Sequence, residues 1–238
     1  MKLKAIGILC AVQLSIAGFA QAQTNELTTW GAWFHTQKFN DHWGAAFDAQ
    51  FRSAHHADYL RNVLLRPSAS YYFNKNKRAD LGYAYIATNG RNASGKTFRP
   101  EHRIFEQFII SQKAGINTAI THRFRLEQRF QGQTATQPDV FSQRFRYFVR
   151  GVIPLNNKPV FTQGTFVALQ NEAFANVQNK DKVNKHTLDQ NRAYAAFGYR
   201  LNKMIDVEAG YLNQYIKQAE AYTINHVMQV ALYTRFGK

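Results

Sequence analysis

The sequence predicts an all-β chain folded as a transmembrane, antiparallel up-and-down β-barrel of about 12 strands, with 10 as the alternative count. Three observations lead there. Apolar and polar residues alternate with a period of two along most of the chain. Turn residues interrupt the alternation at intervals that suit strands crossing a bilayer on a slant. The polar partners in the alternation are largely arginines, in a chain with 30 Lys plus Arg against 15 Asp plus Glu.

The start of the chain reads as an address. Met1-Lys2-Leu3-Lys4 is basic, Ala5 to Ala20 is apolar, and Ala20-Gln21-Ala22 supplies small residues before Gln23. This predicts a Sec-type export signal over residues 1–22, cleaved after Ala22, and a single barrel domain over 23–238. The one cysteine, Cys10, falls inside the signal. The exported barrel is therefore expected to have no disulfide and to rely on hydrogen bonds and packing.

The clearest strand runs from Ile120 to Phe130. His122, Phe124, Leu126, Gln128 and Phe130 share one face, while Arg123, Arg125, Glu127 and Arg129 share the other. Gln143 to Ile153 repeats the pattern, with Phe145, Tyr147 and Val149 opposite Arg144, Arg146 and Arg150. Trp43 to Ser53 sets Trp43, Phe47 and Phe51 against Asp48, Gln50 and Arg52. Near the end, Met228, Val230, Leu232 and Phe236 alternate with Gln229, Tyr233 and Arg235. Short turns are expected at 39–42, 74–77, 113–115, 155–158 and 202–203, and longer loops at 89–100, 131–140, 178–187 and 217–223. That asymmetry suits short periplasmic turns and longer extracellular loops. Eleven strands can be counted, and the even-number habit of bacterial barrels raises the expectation to twelve.

Composition excludes several classes. Aromatics at 14% are too many for a disordered basic tail. A mean hydropathy of −0.43, with no long apolar run after the signal, argues against a bundle of membrane helices. The aromatic residues suit girdles at two membrane interfaces. The arginine rows suit a polar lumen better than an exterior.

The lumen face is expected to carry Arg52, Arg66, Arg123, Arg125, Arg129, Arg144, Arg146, Arg150, Arg192 and Arg200. Asp48, Glu127, Glu172 and Glu208 are their acidic partners on the same face. Guanidinium groups grip carboxylate and phosphate in a fork, so this surplus predicts a narrow channel or a binding barrel for small anionic solutes, with these arginines as the candidate anion sites. The alternative is an interior of Arg, Glu and Gln networks that only ties the strands together.

No catalytic residues, metal ligands or cofactors are expected. Ser142 and His122 fall on neighbouring strands but on opposite faces, so they make no dyad without a register change. His55-His56-x-Asp58 is a dense cluster, yet adjacent residues on extended chain point opposite ways. An outer-membrane lipid hydrolase or acyltransferase is the weaker enzymatic alternative. Expected partners are outer-membrane lipid, lipopolysaccharide beside Lys180, Lys182 and Lys185, and the barrel-insertion machinery through the final strand ending at Phe236. Nucleic acid is not expected, because the charge sits on strand faces without stacking aromatics.

Several segments together carry a family resemblance: Trp30-Gly31-Ala32-Trp33, Arg99-Pro100-Glu101-His102-Arg103, the arginine rows at 123–130 and 144–147, Asn171-Glu172-Ala173-Phe174 and Asp189-Gln190-Asn191-Arg192. The chain resembles the domain-of-unknown-function 2490 family of outer-membrane barrels, frequent in Bacteroidota, from about Leu27 to Phe236. The resemblance implies the barrel and its membrane location and carries no activity with it.

Overall fold

The computed structural model describes residues 22–54, 56–93, 95–132, 139–156 and 158–237. The expected export signal lies outside the described residues except for Ala22, where the first strand begins.

Eleven strands form the barrel: β1 (Ala22–Lys38), β2 (Trp43–Ala54), β3 (Tyr59–Asn74), β4 (Lys77–Asn92), β5 (Gly95–Ala114), β6 (Thr118–Gln131), β7 (Val140–Pro154), β8 (Gly164–Gln178), β9 (Leu188–Asn202), β10 (Ile205–Lys217) and β11 (Ala221–Gly237). Each strand pairs antiparallel with the next, and β1 closes the cylinder against β11 in parallel, from Ala22 opposite Ala221 to Lys38 opposite Gly237. The strand count of eleven replaces the expected twelve. Parity is a matter of closure: with an odd number of alternating strands the first and last run the same way, so the seam must be a parallel ladder. Here that ladder spans all of β1.

An odd count also places Ala22 and Gly237, the two ends of the described barrel, on opposite rims. Since Cys10 is the sole cysteine, cysteines placed at Thr24, Lys182 and Gly237 test this cleanly. Those at Thr24 and Lys182 are expected to react with the same membrane-impermeant reagent from one side, and that at Gly237 from the other. An even-stranded barrel would label Thr24 and Gly237 together.

Asparagines make the tight turns of the C-terminal rim. Asn40 Oδ1 accepts from the backbone N–H groups of His42 and Trp43, Asn74 Oδ1 from Asn76, and Asn202 Oδ1 from Met204 and Ile205. Two expectations about connections are corrected. The segment 89–100 is paired strand, with Asn89 opposite Phe98 and Asn92 opposite Gly95. Its polarity marks exposure to water, which does not prevent a two-stranded ribbon from pairing. The connection at 155 runs on to Gln163 and sends Phe161 back against Phe166, with ring centroids 6.1 Å apart.

The alternation faces as expected. Trp33, Trp43, Phe51, Phe124, Phe145, Phe197, Met228 and Val230 are exposed on the outside. Polar outward groups are tied locally: a tyrosine hydroxyl meets each of His102, His122 and His226, through Tyr83, Tyr147 and Tyr211. The interior is filled. Phe166, Ala168, Tyr194, Ala196, Leu212, Val227 and Trp30 form one buried apolar cluster, and Leu64, Ala84, Ile86 and Phe105 a second. Glycine makes room for two of these rings: a Cβ on Gly198 would strike Phe166, and one on Gly82 would strike Phe105.

Candidate functional site

All ten arginines expected on the lumen face do point inward, and the strand pairing explains how they meet. β6 and β7 set Arg125 opposite Arg146 and Glu127 opposite Arg144. Glu127, 1% exposed, is the hub: Arg144 lies 2.8 Å from it, Arg146 2.6 Å, Arg103 3.4 Å and Arg125 3.6 Å. Glu172 is the second hub, with Arg123 at 2.7 Å, Arg146 at 2.6 Å and Arg192 at 4.0 Å. Arg66 pairs with Asp48, Arg129 with Glu101, Arg150 with Glu208 and Arg200 with Asp206. Burying so many ions is costly, and only dense pairing keeps the structure stable.

Aromatic faces supply part of the support. The guanidinium of Arg125 lies 4.4 Å from the Phe105 ring centre, and that of Arg146 4.5 Å from Phe174. Arg150 lies over Tyr233, whose hydroxyl donates to Glu208 at 3.0 Å. Inward aromatics therefore do two jobs: they fill the barrel and they carry cations.

Above this packed layer, towards the rim that carries the 179–187 connection, the lumen opens into a cavity of about 310 Å³. Arg52, Arg66, Arg144, Arg146 and Arg192 line it, together with Trp30 and the amides of Gln190, Gln214 and Asn225. Glu101 and Glu26 also line it. Glu101 is held by Arg103 and Arg129, and Glu26 by Arg61 at 2.8 Å. The cavity wall is thus strongly cationic, with its own carboxylates already engaged.

Two of its arginines are poorly neutralised. Among the described residues Arg52 makes no ion pair; it donates to Gln50 and stacks 3.9 Å from the centre of the Trp30 ring. Arg192 has the loosest ion pair of the lumen, lies 5.3 Å from the same ring, and its buried Nε–H has no acceptor. The Nε–H of Arg66 is likewise buried without an acceptor. Unpaired buried donors of this kind are uncommon and call for an explanation.

A family model described as a protein of unknown function, DUF2490, matches residues 27–225. The chain belongs to the DUF2490 family. The matched region takes in every arginine of the cavity and stops inside β11. Among solved structures, one described as the NanC porin in a rhombohedral crystal form is similar, with a TM-score of 0.48 and 9% identity over 83% of this chain and 93% of that one. No curated protein matches the chain.

Several lumen residues of this DUF2490 barrel escape sequence reasoning. Asp80, Glu101, Asp189 and Asp206 join the expected acids, with Arg78 and Arg103 on the basic side, so the inward positive surplus is narrower than the sequence suggests. Asp80 and Gln107 hydrogen-bond each other in the interior. For Glu101, Arg103 and Gln107 the signal is hidden because β5 carries Phe105 on the inner face beside Ile104 on the outer one, which blurs the alternation. Ser142 faces inward opposite Arg129 and donates to Gln131 at 3.2 Å, while His122 faces outward to Tyr147. Asp58 pairs with Arg91 at 2.7 Å; His55 lies outside the described residues.

Proposed function

We propose that this protein is an outer-membrane barrel that binds small anionic solutes in a one-ended lumen cup. The observation that carries the reading is the cup itself: a cationic cavity of about 310 Å³ whose floor is the buried Arg–Glu network rather than an open pore. An open aqueous channel would leave its lining wet, whereas Arg125, Glu127, Arg144, Arg146 and Glu172 are each no more than 4% exposed. Crowded cations in a low-dielectric enclosure favour anions and raise their local concentration.

The membrane placement is supported by the apolar exterior, by strands longer than the roughly 9–11 residues that cross a bilayer, and by aromatic residues near both rims. Lys180, Lys182 and Lys185 lie at the rim of the cup, where lipopolysaccharide phosphates are the natural contact. The last strand, β11, with Phe236 next to its final residue, is the natural signal for the insertion machinery.

The test pairs two measurements on the refolded protein. In planar bilayers it is expected to pass little current, and in detergent it is expected to bind anions with an affinity that falls as salt rises. A large, stable, cation-preferring conductance that survives replacing Arg125 and Arg146 by Gln would overturn the reading. A second reading, a purely structural barrel, rests on the density of the Glu127 network. The complete absence of anion binding would select it.

A further inference from the structure

We infer that the cup takes a small polyhydroxylated carboxylate, with its carboxylate held between Arg52 and Arg192 beside Trp30. This rests on the anion-binding reading above and gives it a subsite and a ligand class.

The charge argument comes first. Arg52 on β2 and Arg192 on β9 approach each other across the β1–β11 seam over one indole ring. They are like charges: among the described residues Arg52 makes no ion pair, and Arg192 reaches only Glu172, at 4.0 Å. Arg192 and Arg66, which both line this cavity, each also bury an Nε–H without an acceptor, a sign that the cationic wall is incompletely satisfied. An entering oxyanion supplies the counter-charge that Arg52 lacks and that Arg192 has only at 4.0 Å. The barrel also displays the arrangement such a ligand would complete: the carboxylate of Glu101 is held by Arg103 at 2.8 Å and by Arg129 at 2.6 Å. A planar carboxylate matches guanidinium forks in this way.

The second argument is the wall. Gln214 Nε2 donates to Gln190 at 3.0 Å, Asn225 Nδ2 donates to Gln214 at 3.2 Å, and Thr28 Oγ1 donates to Asn225 at 2.9 Å. This amide ladder runs along β9, β10, β11 and β1 next to the arginines. Each amide carries two donor hydrogens and an acceptor with two lone pairs, so the ladder retains both kinds of group for a ligand. A hydroxylated body uses donors and acceptors together; a bare inorganic anion uses donors only. The volume sits at the small end of ordinary ligand pockets, roughly 300–1,000 Å³, which suits a single sugar-acid ring.

Isothermal titration of the full barrel in detergent tests this with glucuronate, glucose, acetate, glucose 6-phosphate and sulfate as probes. Glucuronate is expected to bind, glucose not to bind, and acetate to bind at least about tenfold more weakly than glucuronate. Arg52→Gln and Arg192→Gln are each expected to weaken glucuronate by about tenfold to a hundredfold, Arg52→Lys to recover part of the loss, and Lys203→Gln on the opposite rim to change nothing. Retained heat-modifiability on gels shows that each variant still forms a barrel; a variant that does not is replaced by the Lys substitution at the same position. Equal binding of acetate and glucuronate overturns the ligand class. Tighter binding of glucose 6-phosphate overturns the carboxylate. Wild-type affinity in both Gln variants overturns the subsite. If no anion binds, sulfate included, the anion-binding function itself falls.

Discussion

Replacing Glu127 with Ala is expected to destabilise the barrel by about 3–5 kcal/mol, the range for breaking a buried ion pair from one side. The carboxylate is 1% exposed and has four guanidinium groups within 3.6 Å. Removing it leaves Arg103, Arg125, Arg144 and Arg146 facing one another with too little negative charge between them. Arg103 keeps Glu101, Arg144 keeps Asp189, and Arg146 keeps Glu172. Among the described residues Arg125 keeps only the neutral Gln107 as a polar partner and suffers most. Urea titration of folding into vesicles gives the number. Glu220→Ala makes the contrast: Glu220 is exposed and lies 3.9 Å from Lys185, so its loss is expected to cost less than about 1 kcal/mol. Similar costs at the two positions would mean that the Glu127 network is solvated rather than buried.

Replacing Phe166 with Ala is expected to cost about 3–5 kcal/mol, as for other large aromatic deletions in a packed core. Phe166 is fully buried inside the barrel, covers Gly198 and meets Phe161 from the 155–163 connection. Gly198→Ala attacks the same contact from the other side, because its new Cβ collides with the Phe166 ring. Its expected cost is about 1–3 kcal/mol by overpacking. The two changes are coupled: with the ring gone the added methyl has room, so the double variant is expected to cost less than the sum of the singles. Strict additivity would show that the ring does not rest on Gly198.

The faces of the strands were legible in the sequence because alternation is a local property. Arg123 to Arg129 and Arg144 to Arg150 could be placed inward with no knowledge of their neighbours, and every expected lumen arginine is where the pattern put it. Partners were less legible, because they depend on register between strands. That Ser142 lies opposite Arg129 is set by the pairing of β6 with β7 and not by either strand alone. Closure was not legible at all: the even-strand habit pointed to twelve, while the ladder between β1 and β11 is a contact between chain ends about 200 residues apart, which local patterns do not encode. The plug was hidden for a further reason. Phe105, Phe166 and Phe174 are apolar residues on the face reserved for polar ones, and only the glycines opposite and the cations above show why they fit.

The three tryptophans give the most direct measurement of the central arrangement, lipid outside and guanidinium groups enclosed. Trp33 and Trp43 are exposed on the outer wall, at 41% and 53%, whereas Trp30 is 6% exposed beneath Arg52. In vesicles of lipid brominated on the acyl chains, a variant retaining only Trp33 is expected to be strongly quenched, and one retaining only Trp30 to keep its emission. Aqueous iodide, drawn into the cationic cup, is expected to quench Trp30 more than the neutral quencher acrylamide does. Quenching of Trp30 by the brominated chains, with Trp33 untouched, would turn the barrel inside out and contradict the account.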